Sequence, residues 1–184
     1  MPTAIRRTRL PRHWQEQLLF ADGRHMLLRP IEPADAEPLR IGFPLLTPDE
    51  IRMRFLHPLK ELTPELAHRL THLDPRREFA LVVAEPLPPG EALVGAVVRA
   101  SIDDASCSAE FAILVARLLS RQGLGQLLMR RLIFWGRLKR LDEIYGDVLD
   151  ENTAMLKLAE SLGFHREHRP NEPGISRVRL PLKR

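Results

Sequence analysis

In "RQGLGQLLMRR", residues 121–131, two glycines one residue apart stand where a strand-like segment gives way to a long apolar helix. A helix N-terminus carries backbone N–H groups without intrahelical partners and a partial positive charge, so it draws anions. Glycine lets such a backbone approach an oxygen closely, because no Cβ stands in the way. Arg121 adds a full charge beside Gln122, Gly123, Leu124 and Gly125. The same residues also suit a plain tight turn, and these residues alone leave both readings open. Two known phosphate loops are excluded. A dinucleotide fingerprint needs a third glycine where Leu128 stands, and a P-loop needs a Gly-Lys-Ser/Thr that is missing here.

Other reactive residue types carry less. His68 and His72 lie four apart, a spacing that suits zinc on a helix face. Arg69 replaces the glutamate of the metalloprotease motif and no third ligand is in view, so both are expected to face solvent and no metal is expected. Cys107, the only cysteine, excludes an internal disulfide, fits a reducing compartment and is expected to be a small buried residue. Asp103 and Asp104 read as turn residues, and His57 in "FLHPLK" as part of a helical region. Tyr145, the only tyrosine, falls in a strand and is expected in the core.

The elements that must position these residues follow from periodicity. Residues 14–20 and "MLLRPI" read as two strands joined by the turn "ADGR". Three short helices follow: one near Asp35, one with Thr47 as N-cap, Pro48 first and Glu50 three on, and one repeating that design from Thr63. "EFALVVAE", "ALVGAVVRASI" and "CSAEFAILV", separated by turn-like segments, predict an antiparallel meander. Leu124, Leu127, Leu128, Leu132, Trp135 and Leu138 keep helical spacing, with Arg130, Arg131, Arg137 and Lys139 expected to face water. "EIYGDVL" then reads as a strand, "NTAMLKLAESLGF" as a helix ended by Gly163, and "ISRVRLPL" as a closing strand. The strand–helix–strand unit from Phe111 to Leu149 predicts a parallel pair, hence an α/β domain on a mixed sheet.

Composition agrees. With 184 residues, 44% of them hydrophobic and 28% charged, the chain suits one globular domain. No apolar run approaches the ~20 residues of a membrane span, and no secretory leader is read, so a cytoplasmic protein is expected. A net charge of +4 favours an anionic ligand but is too mild to imply nucleic acid. Arg6, Arg7, Arg9 and Arg12 mark residues 1–13 as a basic arm, with a single domain over 14–184.

Together, Gln122-Gly123-Leu124-Gly125 opening a helix, the preceding strand with Glu110, and the later "ENTAMLKLAESLGF" resemble the acyl-CoA signature of the GNAT acetyltransferase superfamily. The resemblance covers roughly residues 26 to 181. "FADGRHMLLRPIEPADAEPL", "RMRFLHPLKELTPELAHRLTHLD" and "AEFAILV" further resemble the acetyltransferase domain of bacterial Pat-type protein lysine acetyltransferases. This implies acetyl-CoA as co-substrate, its pyrophosphate on the backbone of Gln122 to Gly125 beside Arg121, its pantetheine arm along Ile113 and Val115, and a contact from Asn152. It implies a protein lysine as acceptor and Glu110 as general base. The alternatives are a small amine as acceptor, or an acyl-CoA-binding regulatory module with weak catalysis. Alternation puts Glu110 on one strand face with Ala112 and Leu114, where partial desolvation is expected. Two departures stand out: Ala159 occupies the position where many relatives carry a tyrosine, and Ser120 one usually held by Gln or Arg. An oligomer is left open.

Overall fold

The structure, a computed structural model, describes residues 14–183, so the basic arm expected over residues 1–13 lies outside the described residues. Its strands are β1 (Glu16–Leu19), β2 (His25–Pro30), β3 (Glu78–Ala84), β4 (Val94–Asp103), β5 (Ser108–Val115), β6 (Glu143–Leu149), β7 (His165–His168) and β8 (Ile175–Pro181). Its helices are α1 (Ala36–Gly42), α2 (Pro48–Phe55), α3 (Pro64–Thr71), α4 (Leu124–Leu138) and α5 (Thr153–Ser161). The strands form one sheet in the order β1-β2-β3-β4-β5-β6-β8-β7. Every neighbouring pair is antiparallel except β5 with β6, which is the mixed α/β sheet that the sequence predicts. Strand β7 is the element that periodicity misses. Its residues, HREH, are all exposed and polar, so no alternation marks them.

Because β3 lies inside the sheet and is apolar on both faces, it is buried throughout after Glu78. Phe79, Leu81 and Val83 share a core with Leu124, Leu128, Met129 and Leu132 of α4 and with Leu156 and Ala159 of α5. On the opposite face Ala80 and Val82 meet Leu39 and Leu73, and Phe43, Ile51, Leu62 and Ala67 form the core of α1, α2 and α3. Further along that second face the sheet turns polar. There Glu110 of β5 is exposed and Tyr145, Arg177 and Arg179 of β6 and β8 are half-buried.

Local chemistry sets the helix ends. The Thr47 hydroxyl accepts from the Glu50 N–H at 3.2 Å, and a Glu50 carboxylate oxygen accepts from the Thr47 N–H at 2.7 Å, the reciprocal cap that the spacing predicts. Helix α4 ends at Leu138, and Arg140 adopts a left-handed φ of 58° just beyond it. Lys139, expected to face water, is buried; its ammonium donates to the Pro75 carbonyl at 3.2 Å, its long stem covering apolar surface.

Asp35 is the residue whose burial composition hides. Its two carboxylate oxygens accept from the Arg29 guanidinium at 2.7 and 2.8 Å, and one also accepts from the Glu32 N–H at 2.8 Å. Both side chains are almost wholly buried, so the pair ties β2 to the entry of α1 where water cannot compensate either charge. Removing one partner strands the other. Asp35→Ala is therefore expected to lower stability by about 3–5 kcal/mol in urea unfolding, against within ~0.5 kcal/mol for Glu37→Ala on the exposed side of α1.

Candidate active site

Strands β5 and β6 pair over three positions, Ser108 with Glu143, Ala109 with Ile144 and Glu110 with Tyr145. Beyond these they diverge, β5 staying with β4 as far as Val115 and β6 with β8 as far as Leu149. Phe111 sits at the point of divergence. A Cβ on Gly146 would lie 2.6–2.9 Å from three atoms of the Phe111 ring, so only glycine leaves room for that ring. Past the fork, the edge of β5 facing β6, from Phe111 to Val115, has no strand partner. A cavity of about 50 Å³ opens there, walled by Met53 and Arg54 of α2, Ala112 and Ile113 of β5, Asp147 of β6, and Asn152 and Met155 at the start of α5.

The glycine loop follows directly from β5. Arg117–Leu119 make one 3₁₀ turn, and the Ser120 hydroxyl donates back to the Arg117 carbonyl at 2.7 Å. Arg121 (φ 62°) and Gly123 (φ 74°) are both left-handed, Gly123 being the N-cap of α4. Among the described residues the N–H groups from Arg121 to Gln126 have no protein acceptor, a run of donors at the positive end of a helix. The two glycines differ in purpose. A Cβ at Gly123 would meet nothing within 4 Å, so its backbone is open to a ligand, whereas one at Gly125 would lie 3.0 Å from a Leu158 methyl. Gly125 thus serves the tight packing that the sequence allowed, and Gly123 leaves its backbone open on one side.

Several partners of this loop carry no motif. The Gln122 side-chain oxygen accepts from the Ala21 N–H at 3.3 Å, and Arg24 donates to the Leu118 carbonyl at 2.8 Å, so the β1–β2 turn buttresses the loop. Glu50, whose one oxygen caps α2, receives the Arg117 N–H on the other at 2.6 Å. Arg52 pairs with Glu151 after β6. Helix α2 is thereby fastened to both arms of the fork.

Glu110 stands at the root of the fork, flanked in register by Ser101 and Tyr145. Its side chain is exposed rather than partly desolvated as expected, because no helix covers this part of the sheet. Tyr145 is not a core residue: Arg177 and Arg179 lie 4.7 and 5.5 Å from its ring, and burial, then the charge of Glu110, push its phenol up. Ile113 and Val115 are half-buried along the free edge. Asn152 caps α5, its side-chain oxygen accepting from the Met155 N–H at 3.2 Å. Ala159 is fully buried and offers no proton. His68 and His72 are exposed and stacked at 3.6 Å. Cys107, expected to be buried, is half-buried at φ 51° in the β4–β5 turn, where the chain reverses at the sheet margin. Arg121 is exposed and Leu124 buried. An amide-rich helix start, an open strand edge leading from it and an exposed carboxylate at the root of the fork thus lie along one continuous side of β5.

Comparison with known proteins agrees with that geometry. Residues 25–165 match the acetyltransferase (GNAT) domain family. The chain is 33% identical over 162 residues to an acetyltransferase from Pseudomonas aeruginosa, covering 87% of this chain and 84% of that one. It is similar to the crystal structure of the GNAT domain of S. lividans PAT, with a TM-score of 0.79 and 25% identity over 95% of this chain and 100% of that one. A spermidine N-acetyltransferase from Vibrio cholerae, solved with CoA and spermine, shares the fold at a TM-score of 0.65 and 21% identity, covering 85% of this chain and 95% of that one. Among the described residues no helix is long and apolar enough to cross a membrane, and no group of three potential ligands could hold a metal ion. The chain belongs to the GNAT acetyltransferases, N-acetyltransferases that use acetyl-CoA as co-substrate.

Proposed function

We propose that the enzyme acetylates lysine side chains of proteins, with Glu110 as general base. The observation that carries this reading is the exposed carboxylate at the root of the β5–β6 fork, reached along one continuous track from the amide-rich loop. The likeness to the GNAT domain of S. lividans PAT, which runs the whole length of that domain, supports a protein acceptor. The single, half-buried cysteine suits a cytoplasmic setting.

A lysine amine has a pKa near ~10.4, so at pH 7 well under ~1% of it is neutral. Glu110, directly or through a water, takes the amine proton; the nitrogen attacks the thioester carbonyl, the acetyl group passes to nitrogen, and coenzyme A leaves as thiolate. Backbone N–H groups near Ile113 to Val115 stabilise the oxygen that gains charge. The N–H groups of Gln122 to Gly125 and the charge of Arg121 hold the diphosphate, and Leu124 anchors that helix start in the core. Asn152, its oxygen engaged by the α5 cap, offers its amide N–H groups to the pantetheine arm. With Ala159 where a tyrosine would stand, the thiolate takes its proton from water.

Glu110→Gln is expected to leave acetyl-CoA binding unchanged by calorimetry and to lower kcat by about 10²- to 10⁴-fold on a lysine peptide; an unchanged kcat removes Glu110 from the mechanism. Acetyl-CoA binding without CoA release to any acceptor would mark a regulatory module, the reading that Ala159 favours. Gly123→Val places a side chain in the open approach to the loop and strains a left-handed residue by about 1–2 kcal/mol. The variant is expected to stay folded and to bind CoA at least about tenfold more weakly, a loss that titration of the folded variant reads directly.

A further inference from the structure

The acceptor side of the fork holds two arginines that the chemistry above does not use. Arg54, on α2, lines the fork cavity and also a second, apolar cavity of about 70 Å³, whose walls include Phe43, Phe55 and Leu114. Arg99 of β4 lies in register with Ala112, two residues from Glu110 along the same face, and lines that second cavity. Both side chains are half-buried, and neither makes a hydrogen bond or ion pair among the described residues; the guanidinium of Arg54 rests 4.7 Å from the Phe55 ring. By contrast, Arg177 and Arg179 on the same face are ion-paired to Asp147, Glu143 and Glu167.

Two guanidiniums withdrawn from water near each other without an ion-pair partner in contact are costly. Burial, then the neighbouring Arg99 charge, pulls Arg54 down to about 10, with Glu110 opposing; burial also lowers Arg99, with Glu78 opposing. An arriving carboxylate relieves that cost and meets donors in fork geometry, whereas an arriving polycation adds to the repulsion. The positions restrict what arrives: an amine at Glu110 brings the atoms next to it against Arg54 and Arg99.

We propose that Arg54 and Arg99 together bind a carboxylate carried by the acceptor, so that the preferred lysine has an aspartate or glutamate beside it and polyamines are excluded. The lysine part of this statement rests on the proposed function; the arginine pair is a separate claim. Lysine peptides differing only in the adjacent residue (Glu, Gln or Arg) test both. The Glu peptide is expected to exceed the Gln peptide about tenfold or more in kcat/KM, chiefly through KM, with the Arg peptide and spermidine poorest. Arg99→Gln and Arg54→Gln erase that order, and Arg99→Glu inverts it in favour of the Arg peptide, which mere structural damage does not do. Equal rates for the three peptides, or an order unchanged in the variants, overturn the proposal. Glutarate supplies a readout that needs no turnover: it is expected to bind the CoA-loaded wild type in calorimetry and to inhibit competitively with peptide, and failure to bind overturns the pair. If glutarate binds through the two arginines while no lysine peptide is acetylated, the lysine reading falls and the pair stands. If lysine peptides react without regard to charge, the pair falls and the lysine reading stands.

Discussion

The parting of β5 from β6 is the constraint on which the rest of the site depends. A paired sheet has no free backbone to offer, and an unpaired strand edge is a template for whatever extended chain reaches it. Here the edge is released at one defined point, after Glu110, because the Phe111 ring lies over the bare Cα of Gly146 and packs edge-on against Phe164 at 5.6 Å. The fork is held open by side chains rather than by a loop. Its depth therefore belongs to the core, and the cavity between its arms inherits the rigidity of a packed interior.

Around that opening, the two faces of the sheet divide the labour. Helices α4 and α5 bury one face, and with it the start of α4 and the close contact of Gly125 with Leu158. On the other face α1, α2 and α3 cover the meander and α2 reaches across to both arms of the fork, while Glu110 stays exposed and Tyr145, Arg177 and Arg179 half-buried. Glu110 stands where the open edge of β5 meets this polar surface, and its exposure keeps the carboxylate reachable from outside.

Much of this was legible beforehand, and the reasons are local. The capping pattern Thr47–Glu50, the helical repeat of α4, the unbroken apolar run of β3 and the glycine spacing after β5 each have a short-range cause, so periodicity finds them. What escaped depends on pairing across the chain. Strand β7 exists because β8 is there to pair with it, not because HREH favours extension. The burial of Lys139 and the exposure of Glu110 depend on what lies over each position, and neither is written in its neighbours. Arg54 and Arg99 are 45 positions apart in the chain and read singly as ordinary surface charges; only the packing of α2 against β5 makes them adjacent.

Glu50 uses one oxygen to start α2 and the other to take up the amide of Arg117, so a single carboxylate fastens α2 to the loop that leads into α4. With Arg52 moored to Glu151 on the far arm, α2 is a crossbar rather than a hinged flap. Tightening either end stiffens the other. Grafting α2 and its neighbours onto a related scaffold would therefore disturb the loop before α4 as well, unless the recipient supplies an acid at the same joint.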